Sequence, residues 1–570
     1  MEGSNTSIPQ VEAGGVLPNI DLQHAWFSKR GSWLTLYPAN SSHLKLYYSY
    51  LSSDPEWMDL AFTRDGSVVE TTISATPAHL GVEASPAGQG SARVVLSGAR
   101  DTLIESSNLG IQISPVQQDC NFAKLIRQDD HAWSTTWKNW TVEFVVLKGK
   151  AAGLTNGCWL VEPEHGQCRM AIRIFKDQPL ELPLNLDKAE AANVADWRRF
   201  RSQMPSVPAQ FVAAAEQAWL TLWFSTATEA PNFPNEPVLM SKALMNSVWP
   251  WDHCFNALAL GITDVNAGLD QLMLPFALQK ENGQIPDKTG PEDAFWGCTK
   301  PPIHGWALGK LMDMHPVSNK RLEVIYPKLV KWTTFWFTDR DINKNGLPGF
   351  SGVNPGWDSG WDNSTVSGGS IENEAPELQA YLILQMRTLA RVADQLGLES
   401  EATQWRNRAA KHLALFQKTY WLDANLVTRL DGGMKIIKKP TSLEPMMSLI
   451  LGRSLEPDTF AGMVKNLDNF MTPFGLASEM PASPNYEPHG YWRGPIWAPA
   501  IYLVIDGLNR GGQHEKAVDL AQRYDRLIQK AGGYYENFDA KTGQGLCTKS
   551  YTWSAAVHIL LLHEYGDDFK

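Results

Sequence analysis

From about residue 209 onward the chain reads as twelve apolar segments of helical period, joined by connections that alternate between long and short. The segments lie near 209–228, 251–261, 264–280, 302–315, 318–337, 375–397, 399–418, 442–452, 456–470, 495–508, 513–530 and 553–565. In one of them Leu378, Leu382, Met386, Leu389, Val392 and Leu396 recur at helical spacing, and Gly397 follows as a helix terminator. Connections into even-numbered segments are long: roughly 229–250, 281–301, 338–374, 419–441, 471–494 and 531–552; the others are a few residues each. Antiparallel helices joined in this rhythm carry every long loop at one end. That is the layout of an (α/α)6 barrel, inner helices ringed by outer ones. Loops longer than about 12–15 residues in a compact domain are usually functional, so six at one mouth form a funnel for a site. A superhelical array would need a fixed sequence period, and none is evident.

The preceding part has a different period. Alternating runs such as Ser32–Tyr37, His43–Tyr48, Ala92–Leu96, Val142–Leu147 and Met170–Phe175, punctuated by Gly, Pro, Asn and Ser, predict an antiparallel β-sandwich. Nothing in this half concentrates titratable groups. The expected organisation of a 570-residue chain, too long for one core, is an N-terminal extension over 1–19 and a sandwich accessory domain over 20–187. A linker over 188–208 follows, first helical and ending in Pro205 and Pro208, and then the barrel catalytic domain over 209–570. The fold class is mainly α.

Charge and composition exclude some functions. The net charge of -11 is spread along the chain, with no basic cluster interleaved with aromatics, so no nucleic-acid partner is expected. No run of about 18 apolar residues predicts a membrane span. The first residues lack a basic start and an apolar run, so a cytoplasmic protein is expected. The six cysteines lack metal-finger spacing and read as reduced thiols. The anomaly is 23 tryptophans. Most should pack between large helices, but a Trp face also stacks on a sugar ring, and several stand in Gly- and Pro-rich loops beside acids.

Those loops hold Ser247–His253, Asn282–Asp287 with Glu292, Asp293 and Trp296, Asn354–Ser364, Gly490–Trp497 and Gly533–Asp539. Cleaving a glycosidic bond needs an acid for the leaving oxygen and, with inversion, an opposed carboxylate base that activates water. Aromatic walls raise an acid's pKa by desolvation. This chemistry does not choose among Asp252, Asp287, Glu292, Asp293, Asp358, Asp362, Glu372, Glu374 and Glu536, since any one also reads as a turn former, helix cap or surface charge.

Over roughly 240–565 the chain resembles glycoside hydrolase family 63 and, more distantly, the family 37 trehalases, both with (α/α)6 catalytic domains. The resemblance rests on Ser359-Gly360-Trp361-Asp362-Asn363-Ser364, Tyr491-Trp492-Arg493-Gly494-Pro495-Ile496-Trp497 and Tyr535-Glu536-Asn537-Phe538-Asp539, in that order, with Trp553-Ser554-Ala555-Ala556 following. It implies Asp362 as general acid and Glu536 as general base. It also implies a sugar pocket lined by Trp249, Trp251, Asp252, Trp357 and Gly360, and an aromatic wall of Tyr491, Trp492 and Trp497 near the leaving group. The spacing is most similar to the small enzymes that hydrolyse glucosylglycerate or mannosylglycerate. Those continue Asp-Asn-Ser with Pro-Arg-Trp-Asp, whereas here Thr365–Ser370 follows and no cation for a glycerate carboxylate is evident at that position. The added sandwich is similar to larger members that act on gluco-oligosaccharides. The expected function is an inverting, exo-acting α-glucosidase-type hydrolase of a small carbohydrate; the alternatives are a phosphorylase on the same barrel or a non-catalytic carbohydrate-binding protein. Nothing sets the oligomeric state.

Asp341, Asn343 and Asn345, followed by Gly346, place oxygens at alternate positions as a calcium loop does, although Gly352 stands where that loop carries its Glu. A simple Asx-rich turn reads equally well. Some family 63 members look similar here and bind calcium. Acid–base glycoside hydrolysis requires no cofactor, so any calcium would be structural.

Overall fold

The computed structural model describes residues 16–51, 56–115, 126–129, 131–137, 139–155, 158–178, 184–367 and 369–570. Most of the expected N-terminal extension, together with Cys120 and Gly368, lies outside them.

Two antiparallel sheets form the N-terminal sandwich. One runs, in spatial order, Leu34–Pro38, His43–Tyr48, Glu56–Arg64, Gly110–Pro115, Cys158–Glu162 and Lys150–Thr155, with Ser67–Val68 pairing beside the third. The other runs Ile126–Arg127, Ala132–Trp137, Trp140–Lys148, Gln167–Phe175, Asp101–Ser107, Ser91–Leu96, Leu80–Ala84 and Thr71–Ala75. Alternation along these strands sends Leu44, Leu46, Val82, Val94, Val142 and Phe144 into the core between the sheets. Titratable groups do gather on this half: Arg93 pairs with Glu105, Asp187 and Glu190, and Arg169 with Glu105. The sequence reading missed that cluster because its members come from separate strands and a helix.

The linker region is a helix, α1 (Leu186–Arg201), capped by Asn185, whose side chain accepts from Lys188 N at 3.0 Å. Leu186 and Ala189 pack on the second sheet with Val95, Leu103 and Ala171. Further along, Trp197 meets Trp223 at 5.6 Å and Phe200 stacks on Trp219 at 4.7 Å, both on the first barrel helix. The linker is thus a packed bridge between the domains.

The barrel helices are α2 (Val212–Ser225), α3 (Pro250–Gly261), α4 (Val265–Met273), α5 (His304–Met314) and α6 (Asn319–Asp339), then the short α7 (Pro355–Ser359). They continue as α8 (Pro376–Gln395), α9 (Glu399–Tyr420), α10 (Pro457–Asn466), α11 (Ala498–Arg510), α12 (His514–Ala531) and α13 (Thr552–Tyr565). One expected helix, near 442–452, is wound instead as 3-10 turns over Glu444–Ser454. Contacts run from α3 to α5, α8, Glu444–Ser454, α11, α13 and back to α3, which closes the inner ring. Every residue of α3 is buried, as a helix enclosed by others demands. The outer helices are amphipathic: α12 buries Ala517, Leu520, Ala521, Tyr524 and Ile528 and exposes Glu515, Arg526 and Lys530.

All six inner segments begin at the end where the long loops emerge. Short ribbons lash these loops together, such as Asn373–Glu374 with Thr428–Leu430 and Lys435–Ile437. The sandwich braces three loops. Trp26 Nε1 donates to Lys549 O at 3.0 Å and Ser241 Oγ at 3.2 Å, and Asn246 Nδ2 to Ser49 O at 2.8 Å and Leu51 O at 2.7 Å. Tyr50 OH donates to Glu292 Oε1 at 2.8 Å. Among the described residues no helix is long and apolar enough to cross a membrane, and Cys168, Cys254, Cys298 and Cys547 are free thiols.

Candidate active site

The segment that carries Asp362 is a tight turn at the mouth. Asn354 caps α7 by accepting from Gly356 N at 2.9 Å. Gly360 ends it at φ +73°, where a Cβ would stand 2.9 Å from the Trp251 ring. Both the dihedral and the close approach require glycine. Asp358, one of the candidate acids, is fully enclosed by donors: Thr299 N at 2.6 Å, Ser351 N at 2.9 Å and Arg340 at 3.2 Å. It holds the loop rather than facing a substrate. Asn363 clips this turn to the fifth loop, donating to Gly490 O at 2.9 Å and accepting from Trp492 N at 2.8 Å.

Glu536 lies on the Tyr535–Phe538 strand of the sixth loop, where pairing with Gly545–Lys549 shifts register between Tyr535 and Asn537. Such a bulge re-aims a side chain. Glu536 is only 4% exposed. Tyr491 OH donates to its Oε1 at 2.8 Å and Thr548 N to its Oε2 at 3.5 Å, while the Trp553 indole donates to the backbone oxygen at 3.0 Å. Tyr491 itself is held at φ +63°, an uncommon backbone for a residue with a Cβ.

These groups share one electrostatic environment. The buried Tyr551 phenol is raised first by desolvation and then by the fields of Glu536, Asp252, Tyr491 and Asp362. Burial pushes the Asp362 carboxyl up to about 6, with the Lys300 ammonium opposing and Asp287 reinforcing. Burial also raises Glu536, against the Tyr491 and Thr548 donors that favour its ionised form. Asp252 is raised by burial, and its Oδ2 has no hydrogen-bond partner. Lys300, which the sequence reading passed over, pairs with Asp287 at 2.8 Å and donates to Trp357 O. Burial works against its charge, but Asp287, Asp362 and Asp252 hold it above the usual lysine value.

The aromatic residues divide into two sets. Trp492 and Trp497 stack at 3.7 Å and 4°, Trp361 lies 4.4 Å and Trp251 6.1 Å from Trp492, and all four are buried. Trp492 and Trp497 are each 1% exposed, so the stack is enclosed by its neighbours. Trp249 and Tyr491 are part-exposed, and Trp357, at 45%, stands on the rim.

Asp341 accepts from Asn345 N and Gly346 N, each at 3.0 Å, and Asn345 Oδ1 accepts from Leu347 N at 2.8 Å, as an Asx turn does. Asn343 donates to Glu372 Oε2 and Asn345 to Glu374 Oε1, each at 2.7 Å, and Glu374 also takes Arg429. Among the described residues no group of three or more His, Cys, Asp or Glu side chains is disposed to hold a metal.

Residues 245–554 match the mannosylglycerate hydrolase MGH1-like glycoside hydrolase domain. That is more than half of the chain, and it spans both Asp362 and Glu536. The chain belongs to this glycoside hydrolase family. Its relatives include mannosylglycerate hydrolase MGH1 of Selaginella moellendorffii, 24% identical over 66% of this chain and 91% of that one. They also include a glucosylglycerate hydrolase of Mycolicibacterium hassiacum, 22% identical over 54% of this chain and 90% of that one. Among solved structures, the GH63 mannosylglycerate hydrolase of Thermus thermophilus superposes with a TM-score of 0.50 at 19% identity, over 60% of this chain and 98% of that one. A bacterial glucoamylase covers 99% of the chain and 97% of its own length, with a TM-score of 0.66 at 13% identity. That match extends the shared architecture to the N-terminal sandwich as well as the barrel. Family 63 membership and the (α/α)6 fold expected from the loop rhythm both hold.

Proposed function

We propose that this glycoside hydrolase is an inverting, exo-acting α-glucosidase that releases glucose from a small α-glucoside, either glucosylglycerate or a gluco-oligosaccharide. The observation that carries this reading is the difference between two neighbouring carboxyls. Burial pushes Asp362 up to about 6, and among the described residues no hydrogen bond lowers it, so its environment favours the protonated form. Glu536 accepts from a phenol and a backbone N–H, which favour its ionised form. Divergent environments are how two carboxyls take acid and base roles. In the proposed reaction Asp362 protonates the glycosidic oxygen as its bond to the anomeric carbon breaks. Water adds to that carbon from the opposite face, and Glu536 takes the water's proton. Asp252, Trp249 and the Lys300–Asp287 pair are proposed to bind the sugar, with Trp357 and Tyr491 beside the leaving group and Trp251, Gly360, Trp492 and Trp497 supporting them.

Glucosylglycerate, mannosylglycerate, kojibiose, nigerose, trehalose and maltose, each given to wild type, Asp362→Asn and Glu536→Gln, test the assignment. Equal release of sugar by all three proteins would refute it. Release of a sugar 1-phosphate that depends on phosphate would replace hydrolysis by phosphorolysis.

A structural calcium at Asp341, Asn343 and Asn345 is a separate proposal. The supporting observation is Glu372, whose Oε1 is buried without a partner among the described residues while its Oε2 accepts from the Asn343 amide. With the amides turned to present their oxygens, Asp341, Asn343 and Asn345 would supply the ligands and Glu372 would be the distant acid that completes them. The ion would clamp the third loop and take no part in the reaction.

A further inference from the structure

Two carboxyls that take no part in this mechanism lie behind the acid turn. Glu377 stands in the first turn of α8 and Glu444 opens the Glu444–Ser454 run, two adjacent inner-ring segments that both begin at the pit floor. They are 2% and 0% exposed. No salt bridge reaches either one among the described residues, and none of their four oxygens has a hydrogen-bonded donor. Two bare carboxylates in that setting would each carry the full cost of desolvation and would repel each other. A shared proton relieves both penalties, because a protonated carboxyl donates to an ionised one. Helix N-termini favour the single negative charge that remains.

The groups around the pair are few. Tyr381, on α8, has its hydroxyl buried without a partner and feels both carboxyls. The Glu374–Arg429 ion pair lies beyond Tyr420, which also senses Glu377. Burial raises Glu444 to about 7, against the hydroxyls of Ser364 and Ser359 on the third loop, although neither closes a hydrogen bond of ordinary geometry to it. These serines bracket Asp362. Ser359 Oγ accepts from Trp361 N and Ser364 Oγ from Val366 N, each at 3.3 Å, and Ser364 also meets Ser442 Oγ at 3.1 Å. Glu444 N in turn donates to Ser442 Oγ at 3.2 Å.

We propose that Glu377 and Glu444 form a proton-sharing carboxyl pair that positions the general acid, acting through Ser359 and Ser364 on the turn that carries Asp362. The pair does not touch substrate. Its role as a positioning element rests on the hydrolase reading above, whereas its shared proton does not.

The test has two arms on the full-length protein. Infrared difference spectra between wild type and Glu377→Gln/Glu444→Gln should show the carbonyl stretch of a protonated carboxyl at neutral pH, lost in the double variant. Absence of that band in wild type overturns the proposal whatever the activity. Glu444→Gln should lower kcat by about 10- to 100-fold with KM within about twofold, the signature of a displaced acid. Its pH–rate profile should shift, and Glu444→Asp, which still titrates, should restore part of the rate. An unchanged kcat and profile in Glu444→Gln overturns the positioning role. If Glu444→Gln does not fold, Glu377→Gln carries the same expectations. If wild type hydrolyses nothing on the panel while the infrared band is present, the hydrolase reading fails, the positioning role falls with it, and the shared proton stands.

Discussion

The Tyr491 hydroxyl donates to Glu536 Oε1 at 2.8 Å, while the same residue's backbone oxygen accepts from the Trp497 indole at 3.0 Å. One residue thus ties Glu536 to the tryptophan stack of the fifth loop. Asn363 joins that loop to the acid turn, so the two carboxyls are held by one connected frame.

Removing this tie should weaken catalysis more than folding. Tyr491→Phe deletes a donor that favours ionised Glu536. We expect kcat to fall by about 10- to 100-fold, from a loss near that of one charge-assisted hydrogen bond of about 1.5–3 kcal/mol. The base-side limb of the pH–rate profile should move to higher pH, and the melting temperature should change little. A rate within twofold of wild type would show that Tyr491 does not support the base.

The acid limb follows from Asp362. Its carboxyl must be protonated to act, and burial lifts its pKa to about 6. Activity should therefore fall as pH rises above that value, and the fall should be absent from the residual rate of Asp362→Asn. Stability has the same sign. A pKa raised in the folded state favours folding with Asp362 neutral, and that contribution is lost as pH rises from the ordinary value of 3.8 through about 6. Asp362→Asn should accordingly raise the melting temperature at pH 8 relative to wild type and change it little at pH 4. Equal effects at both pH values would contradict the burial account.

Gly360→Ala tests the geometry of the turn. It combines a positive φ with a Cβ 2.9 Å from the Trp251 ring. A strained backbone of this kind costs about 1–3 kcal/mol, and Trp251 must also move. Thermal unfolding should show the loss, and kcat should fall because Asp362 is two residues away. A variant with wild-type stability and rate would mean that the turn tolerates a side chain.

The calcium proposal predicts a metal-dependent melting temperature. Calcium added to chelator-treated protein at about 100 times its Kd should contribute about 2.7 kcal/mol. The rise should be absent from Asp341→Asn and Glu372→Gln. No rise in wild type would leave this loop a plain Asx turn.

The barrel was legible because loop length carries topology: six long connections at alternate positions leave few arrangements. The strands were legible from alternation. The acid and base segments stood out through three motifs in order, whereas their chemistry alone did not separate Asp362 from nearby Asp358, which proves to be saturated by donors. Lys300 escaped notice because its meaning depends on Asp287 and on Trp357 O, which only the fold brings to it. Glu377 and Glu444 carry no mark in the sequence, since burial by neighbouring helices leaves no local trace. The resemblance puts Trp492 and Trp497 in an aromatic wall near the leaving group; that their rings stack on each other and are each 1% exposed has no trace in the sequence.

The central claim is that Asp362 and Glu536 act on opposite faces of one sugar ring with water between the base and the anomeric carbon. Proton NMR of the sugar released in the first moments of turnover of an α-linked substrate measures this directly. The account predicts that the β-anomer appears first and the α-anomer only as the solution mutarotates. Initial release of the α-anomer would contradict it, because retention requires a covalent intermediate and leaves Glu536 no water to activate.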